Sequence, residues 1–341
     1  MFSLNPFFLR WLGGLICSVV LGLPGLAAGE GGDEVNATGN LWLTRTWQTD
    51  EGLPDNNVTG LAQAADGHLW VATLGGLMRF DGERFEEFSP TQLTNVPNRV
   101  VRNLYQDRQG QLWLVMDRGA LVRVGDKDAH VYSPTNNFAY WRVATTAEDP
   151  SGDIWLVFGN EGGRIHGDNV ERLAGPNQLP EAGISWLATD GQGQLWFASG
   201  TQVGIQRNHE WQTLVTMESG GLHLAAARGG GVWICTATRV VRFSEGGVPQ
   251  EMARLPESMT VQTMLEDHAG ALWIGTAANG LYRLQGANFE HVAVSHLEIS
   301  ALTEDREGNL WVGTAGGGLN LLRPRAIDLI SPKSGLPFES V

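Results

Sequence analysis

Apolar residues along the chain come in short runs of four to six, broken by glycine-rich polar turns, and the whole pattern returns roughly every 40 residues. Tryptophan marks the repeat, at 70, 113, 155, 196, 233, 273 and 311. Each of these seven has glycine three residues earlier, at 67, 110, 152, 193, 230, 270 and 308, and five have aspartate six residues earlier, at 107, 149, 190, 267 and 305. The unit reads Asp-x-x-Gly-x-Leu-Trp, then a small-residue pair and a second apolar run, as in LWIGTAANGLYRL and LWVGTAGGGLNLL. Aspartate bonds the backbone two or three residues on and glycine supplies a positive φ, so the unit predicts a tight turn between two strands. In the sixth copy these are Val261 to Leu265 and Leu272 to Ile274.

A second turn, with glycine at Gly75-Gly76, Gly280 and Gly316 to Gly318, leads to a third strand such as Leu77 to Phe80 or Leu281 to Leu284. Arg84 to Phe88 and Ala287 to Val292 then read as a fourth, outer strand with one apolar face. Four strands in about 40 residues is the size of one propeller blade. The fold class is therefore all-β: a seven-bladed propeller of four-stranded antiparallel blades over residues 41–322, its regular tryptophans packed between blades. A ring must join its last blade to its first or leave a bare edge. The extra strand-like piece at 41–48 is expected to be the outer strand of the seventh blade, whose other strands lie at about 299 to 322. Residues 323–341 repeat the opening passage, Gly335-Leu336-Pro337 echoing Gly52-Leu53-Pro54, and read as the start of a further propeller module cut short.

The first residues belong to a different class. Residues 1–28, with one positive charge, an apolar stretch from Trp11 to Leu23 and small residues after Pro24, read as a secretory signal. Residues 29–40 are a polar linker, and their Gly31-Gly32-Asp33-Glu34 is a chance likeness to the cyclic-dinucleotide synthase signature, since no α/β domain surrounds it. With a formal charge of −14 and lysine only at 127 and 333, the chain is poorly suited to a phosphate backbone, so nucleic acid is not an expected partner. Cys235, flanked by Trp233 and Ile234, reads as a small packed residue. The eight histidines show no metal-ligand spacing, and neither metal nor cofactor is expected.

The phrases DEGLPDNNVTGLAQAADGHLWVATLGGLMRFDGERFEEF and LEDHAGALWIGTAANGLYRL resemble the two-component regulator propeller repeat, over nearly all of residues 41–341. The resemblance implies the periplasmic sensor region of a bacterial histidine kinase, often a hybrid one, or less often of a diguanylate cyclase. It further implies a second propeller and a β-sandwich downstream, an inner-membrane anchor and a possible homodimer. Three departures are local: Ala64 stands where aspartate is usual, the third to fifth copies lose the Gly-Thr pair, and the fourth lacks a clean Gly-Leu strand start.

Propeller sites gather at the central channel, on residues leading into inner strands or on loops joining second and third strands. The first group supplies Asn57, Arg99, Arg102, Tyr140, Trp141, Trp186 and His223, and the second Arg118, Asn160, Glu161, Arg239 and Asn279. Aromatic rings stack on the apolar face of a sugar while amides and guanidinium groups take its hydroxyls, so a small molecule or an oligosaccharide is the expected ligand. Packing between blades is the competing role for Trp141 and Trp186. A lyase or hydrolase would need an acid and a base to converge, and His223 with Glu161 is the pair on offer, although repeat spacing gives no reason for them to meet. A freestanding secreted binding propeller is the remaining alternative.

Overall fold

The turn ahead of each repeat tryptophan sets the frame of its blade. All seven of its glycines take a positive φ, from 78° at Gly270 to 93° at Gly230, which a Cβ would strain. Aspartate then serves twice. In the second blade Oδ1 of Asp107 accepts the backbone N–H groups of Gln109 and Gln111 at 3.0 and 2.8 Å, and Oδ2 accepts the indole N–H of Trp113 at 2.8 Å. The same indole bond, again 2.8 Å, joins Asp149 to Trp155, Asp190 to Trp196, Asp267 to Trp273 and Asp305 to Trp311.

The computed structural model describes residues 42–88, 100–117, 120–125, 129–132, 145–158, 161–174, 178–208, 210–256 and 259–325. Its strands form seven four-stranded antiparallel sheets. Blade 1 comprises Val58–Gln63, Leu69–Thr73, Gly76–Phe80 and Phe85–Glu87. The inner strands of blades 2 to 6 are Val101–Gln106, Thr145–Glu148, Trp186–Thr189, His223–Ala226 and Val261–Glu266. Blade 7 is Ile299–Glu304, Leu310–Thr314 and Leu319–Pro324, completed by Trp42–Trp47. The predicted signal (1–28) and linker (29–40) lie outside the described residues, as does 326–341.

Seven apolar clusters hold the ring, and every one draws on two neighbouring blades. The repeat tryptophans sit in them, none more than 6% exposed. Cys235 is buried in the cluster between blades 5 and 6, and burial pushes its thiol up to about 12, so it is packed and unreactive. Close approach also shapes the inner strands: a Cβ on Gly60 would lie 2.8 Å from the Leu104 backbone nitrogen of the next blade. Hydroxyls tie the same strands together, Ser300 donating to the Val58 carbonyl at 2.5 Å and Thr59 to that of Val101 at 2.6 Å.

Closure follows the expected course. The strand Trp42–Trp47 pairs antiparallel with Leu319–Pro324, from Trp42 opposite Pro324 to Trp47 opposite Leu319. Its two end residues reach both neighbouring blades. Trp42 packs edge-on against Trp273 of blade 6 at 5.0 Å, and Trp47 meets Phe80 of blade 1 at 5.2 Å. Beneath the strand, fully buried Asn320 accepts the Thr46 hydroxyl at 3.1 Å and the Ser295 N–H at 3.0 Å, and donates to the Ser295 hydroxyl at 2.8 Å.

Candidate functional site

The ring has two mouths: a leading face, where inner strands begin, and a turn face, where Asp-x-x-Gly turns lie. At the turn face a cavity of 450 Å³ is lined by Gln63, Gln106, Thr303 and Glu304 from inner strands and by Arg228, His268 and Arg306 from turns. These residues come from blades 1, 2, 5, 6 and 7, so the cavity lies on the ring axis. Its wall follows a rule of the repeat. In four copies the residue five before the tryptophan gives its backbone N–H to the side chain seven before the next one: Arg108 to Glu148 at 2.8 Å, Arg228 to Glu266 at 2.7 Å, His268 to Glu304 at 3.0 Å and Arg306 to Gln63 at 2.9 Å. Arg228 goes further, placing Nη2 on Glu304 of blade 7 at 2.5 Å, and Nδ1 of His268 closes on the same carboxylate. Arg306 binds the carbonyls of Ala65 and Ala64 at 2.9 and 3.2 Å. Sequence reasoning passed over this wall by looking to the other face, although Arg or His in four copies and Glu or Gln in five already marked it.

Of the residues expected to form a site, Arg99, Arg118, Tyr140, Trp141 and Asn160 lie outside the described residues. The other predicted residues divide. Trp186 and His223 come together, their ring centres 4.7 Å apart across the boundary of blades 4 and 5, where half-buried Trp186 also packs on that boundary's apolar cluster. Nδ1 of His223 is buried without a partner, and burial lowers its pKa below the usual 6.5, leaving the ring neutral near pH 7. The remaining side chains serve their own loops. Arg102 pairs with Asp117 at 2.5 Å, Asn57 donates from Nδ2 to Asp55 at 2.8 Å, and Arg239 binds Glu218 and, at 3.5 Å, Glu251. Asn279 gives its backbone N–H to the Thr276 hydroxyl at 2.9 Å. Glu161 is held by Arg172 through two 2.9 Å bonds and makes none with His223. Among the described residues no three His, Cys, Asp or Glu side chains are placed to hold a metal, and no helix is long and apolar enough to cross a membrane.

The blades are not equivalent. In blades 1, 2, 6 and 7 the inner strand bulges after its first residue, shifting register between Val58 and Gly60 and at the matching positions. In blades 4 and 5 the inner ladder begins one pair further in, at Trp186 opposite Ala198 and His223 opposite Cys235, without that outermost rung, so the Trp186–His223 contact sits where the ladder departs from the bulged copies.

Comparison with known proteins follows the same division. The family model described as two component regulator propeller matches residues 52–75, 95–118, 255–278 and 294–316, the bulged blades. No curated protein matches the chain. Among solved structures, the extracellular domain of the hybrid two component system BT3049 from B. thetaiotaomicron is similar with TM-score 0.67 and 19% identity, over 83% of this chain and 42% of that one. A second such domain, of system BT4673, has TM-score 0.65 and 17% identity, over 85% of this chain and 40% of that one. This chain thus spans about two fifths of either domain's length. A streptogramin B lyase is similar with TM-score 0.67 and 15% identity, over 83% of this chain and 98% of that one. At such identities these likenesses concern the fold.

Proposed function

We propose that this chain, built of two component regulator propeller repeats, is the ligand-sensing input propeller of an exported signal-transducing receptor. The family match in four blades carries the reading, and the signal-like residues 1–28 support export to the periplasm. The parent would be a histidine kinase, or less often a diguanylate cyclase, anchored in the inner membrane, with further propeller and β-sandwich modules after residue 322 and a homodimer as its working state. Catalysis is not assigned to this segment. A lyase needs a joined acid and base, and Glu161 is paired with Arg172 and makes no bond to His223.

The ligand we assign is an oligosaccharide at the leading mouth, against the ring of Trp186 and the predicted Tyr140 and Trp141. The supporting observation is placement: Trp186 and His223 present adjoining rings where the blades depart from the repeat, and sites collect where a fold breaks its own rule. A closed propeller is stiff, so the signal would travel as a change in its orientation relative to neighbouring modules. Two measurements test this. Downstream gene sequence encoding a membrane span and a kinase or cyclase core is expected, and a gene ending at Val341 would favour a freestanding binding propeller. Calorimetric titration against a glycan panel should give saturable heat that Trp186→Ala reduces at least tenfold in affinity, and silence across the panel would remove the oligosaccharide.

A further inference from the structure

Two blades lack the aspartate that receives the indole N–H. Alanine stands at 64 in blade 1 and 227 in blade 5, and Nε1 of Trp70 and of Trp233 is buried without a partner. In blade 5 the space is taken up. Ala227 is fully buried, and Arg242 lies over Trp233 with its guanidinium on the carbonyls of Gly230 and Phe243 at 2.6 and 2.8 Å.

Blade 1 is different. Its turn keeps the standard frame, Gly67 N–H to Ala64 carbonyl at 3.0 Å against 2.9 Å for the same bond in blade 2. Asp66, two residues late, takes over one of the missing carboxylate's duties by accepting the His68 N–H on Oδ1 at 3.0 Å. Nothing takes over the bond to the indole. Beside Ala64 and the Trp70 ring a cavity of 290 Å³ opens between blades 1 and 2, bounded also by Arg79, Phe88, Leu112 and Val124. The other five blades show what this indole is shaped to meet: a carboxylate oxygen 2.8 Å away.

We propose that the cavity beside Ala64 is a binding site for a small monocarboxylate, its oxygen standing where Asp Oδ2 stands in the other blades and accepting the Trp70 indole N–H. Arg79 adds a second donor, Nε being buried without a partner while Nη2 is held by Asp66 at 2.5 Å. Nε of Arg283 in blade 6 is equally unpartnered where the aspartate is present, so the indole, not the guanidinium, marks the site. Phe88, Leu112 and Val124 form an apolar wall beyond the carboxylate, which suits a short alkyl tail. A second carboxylate would face Asp66, so the acid is singly charged. This site is independent of the sensor reading and of the leading mouth.

The test is a titration of ¹⁵N-tryptophan-labelled protein with sodium butyrate and with acetate, against sodium chloride at equal ionic strength. Trp70→Phe identifies the Trp70 indole resonance by its loss. Butyrate should move that indole proton downfield saturably, leave the Trp155 indole in place, and raise the unfolding midpoint by about 2 °C at saturation. Ala64→Asp should carry the downfield shift without any ligand and abolish the response. Ala64→Leu, which fills the space without an acceptor, should abolish the response with no shift of its own. A Trp70 indole that moves no further in butyrate than in chloride overturns the proposal, as does a response that survives in Ala64→Asp.

Discussion

At the scale of single residues, the stability of five of the blades rests on one carboxylate that serves turn and core together. Asp149 accepts three N–H groups, from Ser151, Asp153 and the Trp155 indole, at 2.8 to 3.1 Å. Asp190 accepts four, the extra one being the Gly231 N–H of the next blade at 2.7 Å. Removing such an acceptor strands buried donors at about 3 kcal/mol, so Asp149→Ala should lower the calorimetric midpoint by roughly 5–10 °C. Asp190→Ala should fall further, because it also unties two blades, and an equal fall would mean the Gly231 bond carries nothing. His223 supplies a pH prediction. Its folded-state pKa is lowered by burial, so the unfolded chain takes up a proton near pH 6.5 that the folded ring refuses. Stability should decline as pH drops below about 6.5 and stop declining once the folded ring protonates. In His223→Phe, which keeps the stack on Trp186, that part of the slope should vanish from midpoints measured between pH 7 and 5. The aspartate shows what was legible in sequence. Its spacing from glycine gave the turn at once, but its bond to the indole was hidden, because turn chemistry already accounted for the residue. The Trp186–His223 contact was legible in principle: the two stand 37 residues apart at matching positions of successive repeats, and in a ring such positions are neighbours.

At the scale of elements, the outer strand of blade 7 joins more of the molecule than its six residues suggest. It supplies an edge to one sheet and, through Trp42 and Trp47, covers the boundaries with blades 6 and 1. Trp47→Ala should therefore cost about 3–5 kcal/mol, well above an ordinary outer-strand change. A chain starting at Gln48 should unfold at much lower denaturant, and a peptide of residues 41–48 added in trans should restore part of the loss. Unchanged denaturation of the shortened chain would mean that the edge contributes little. Closure could be anticipated from sequence because a strand-like segment ahead of the first repeat had no blade of its own. The inner-strand bulges could not, since the residues that follow them, Gly60, Asn103, Thr263 and Ala301, share no side-chain type that would mark the position.

At the scale of the whole molecule, sevenfold likeness hides two kinds of sector. Blades 6, 7, 1 and 2 carry a bulged outermost rung and match the repeat, whereas the inner ladders of blades 4 and 5 begin one pair further in. The turn-face mouth is cross-braced, with Arg228 reaching past blade 6 to Glu304, so that end of the axis is fixed by charge pairs already satisfied within the chain. The leading mouth instead carries aromatic rings and a neutral imidazole, a surface on which a weakly polar ligand loses little hydration.

The pairing of Trp42 with Pro324 has a mechanical side. Because the closing strands run antiparallel, the polypeptide arrives and departs at the same end of the same pair. A pull applied through the flanking chain would peel the pair apart one rung at a time, the weak direction of a β ladder, where a parallel arrangement would load all rungs in shear. The propeller can hang from a longer chain like a bead on a clasp, and the clasp is the first part to give way under tension.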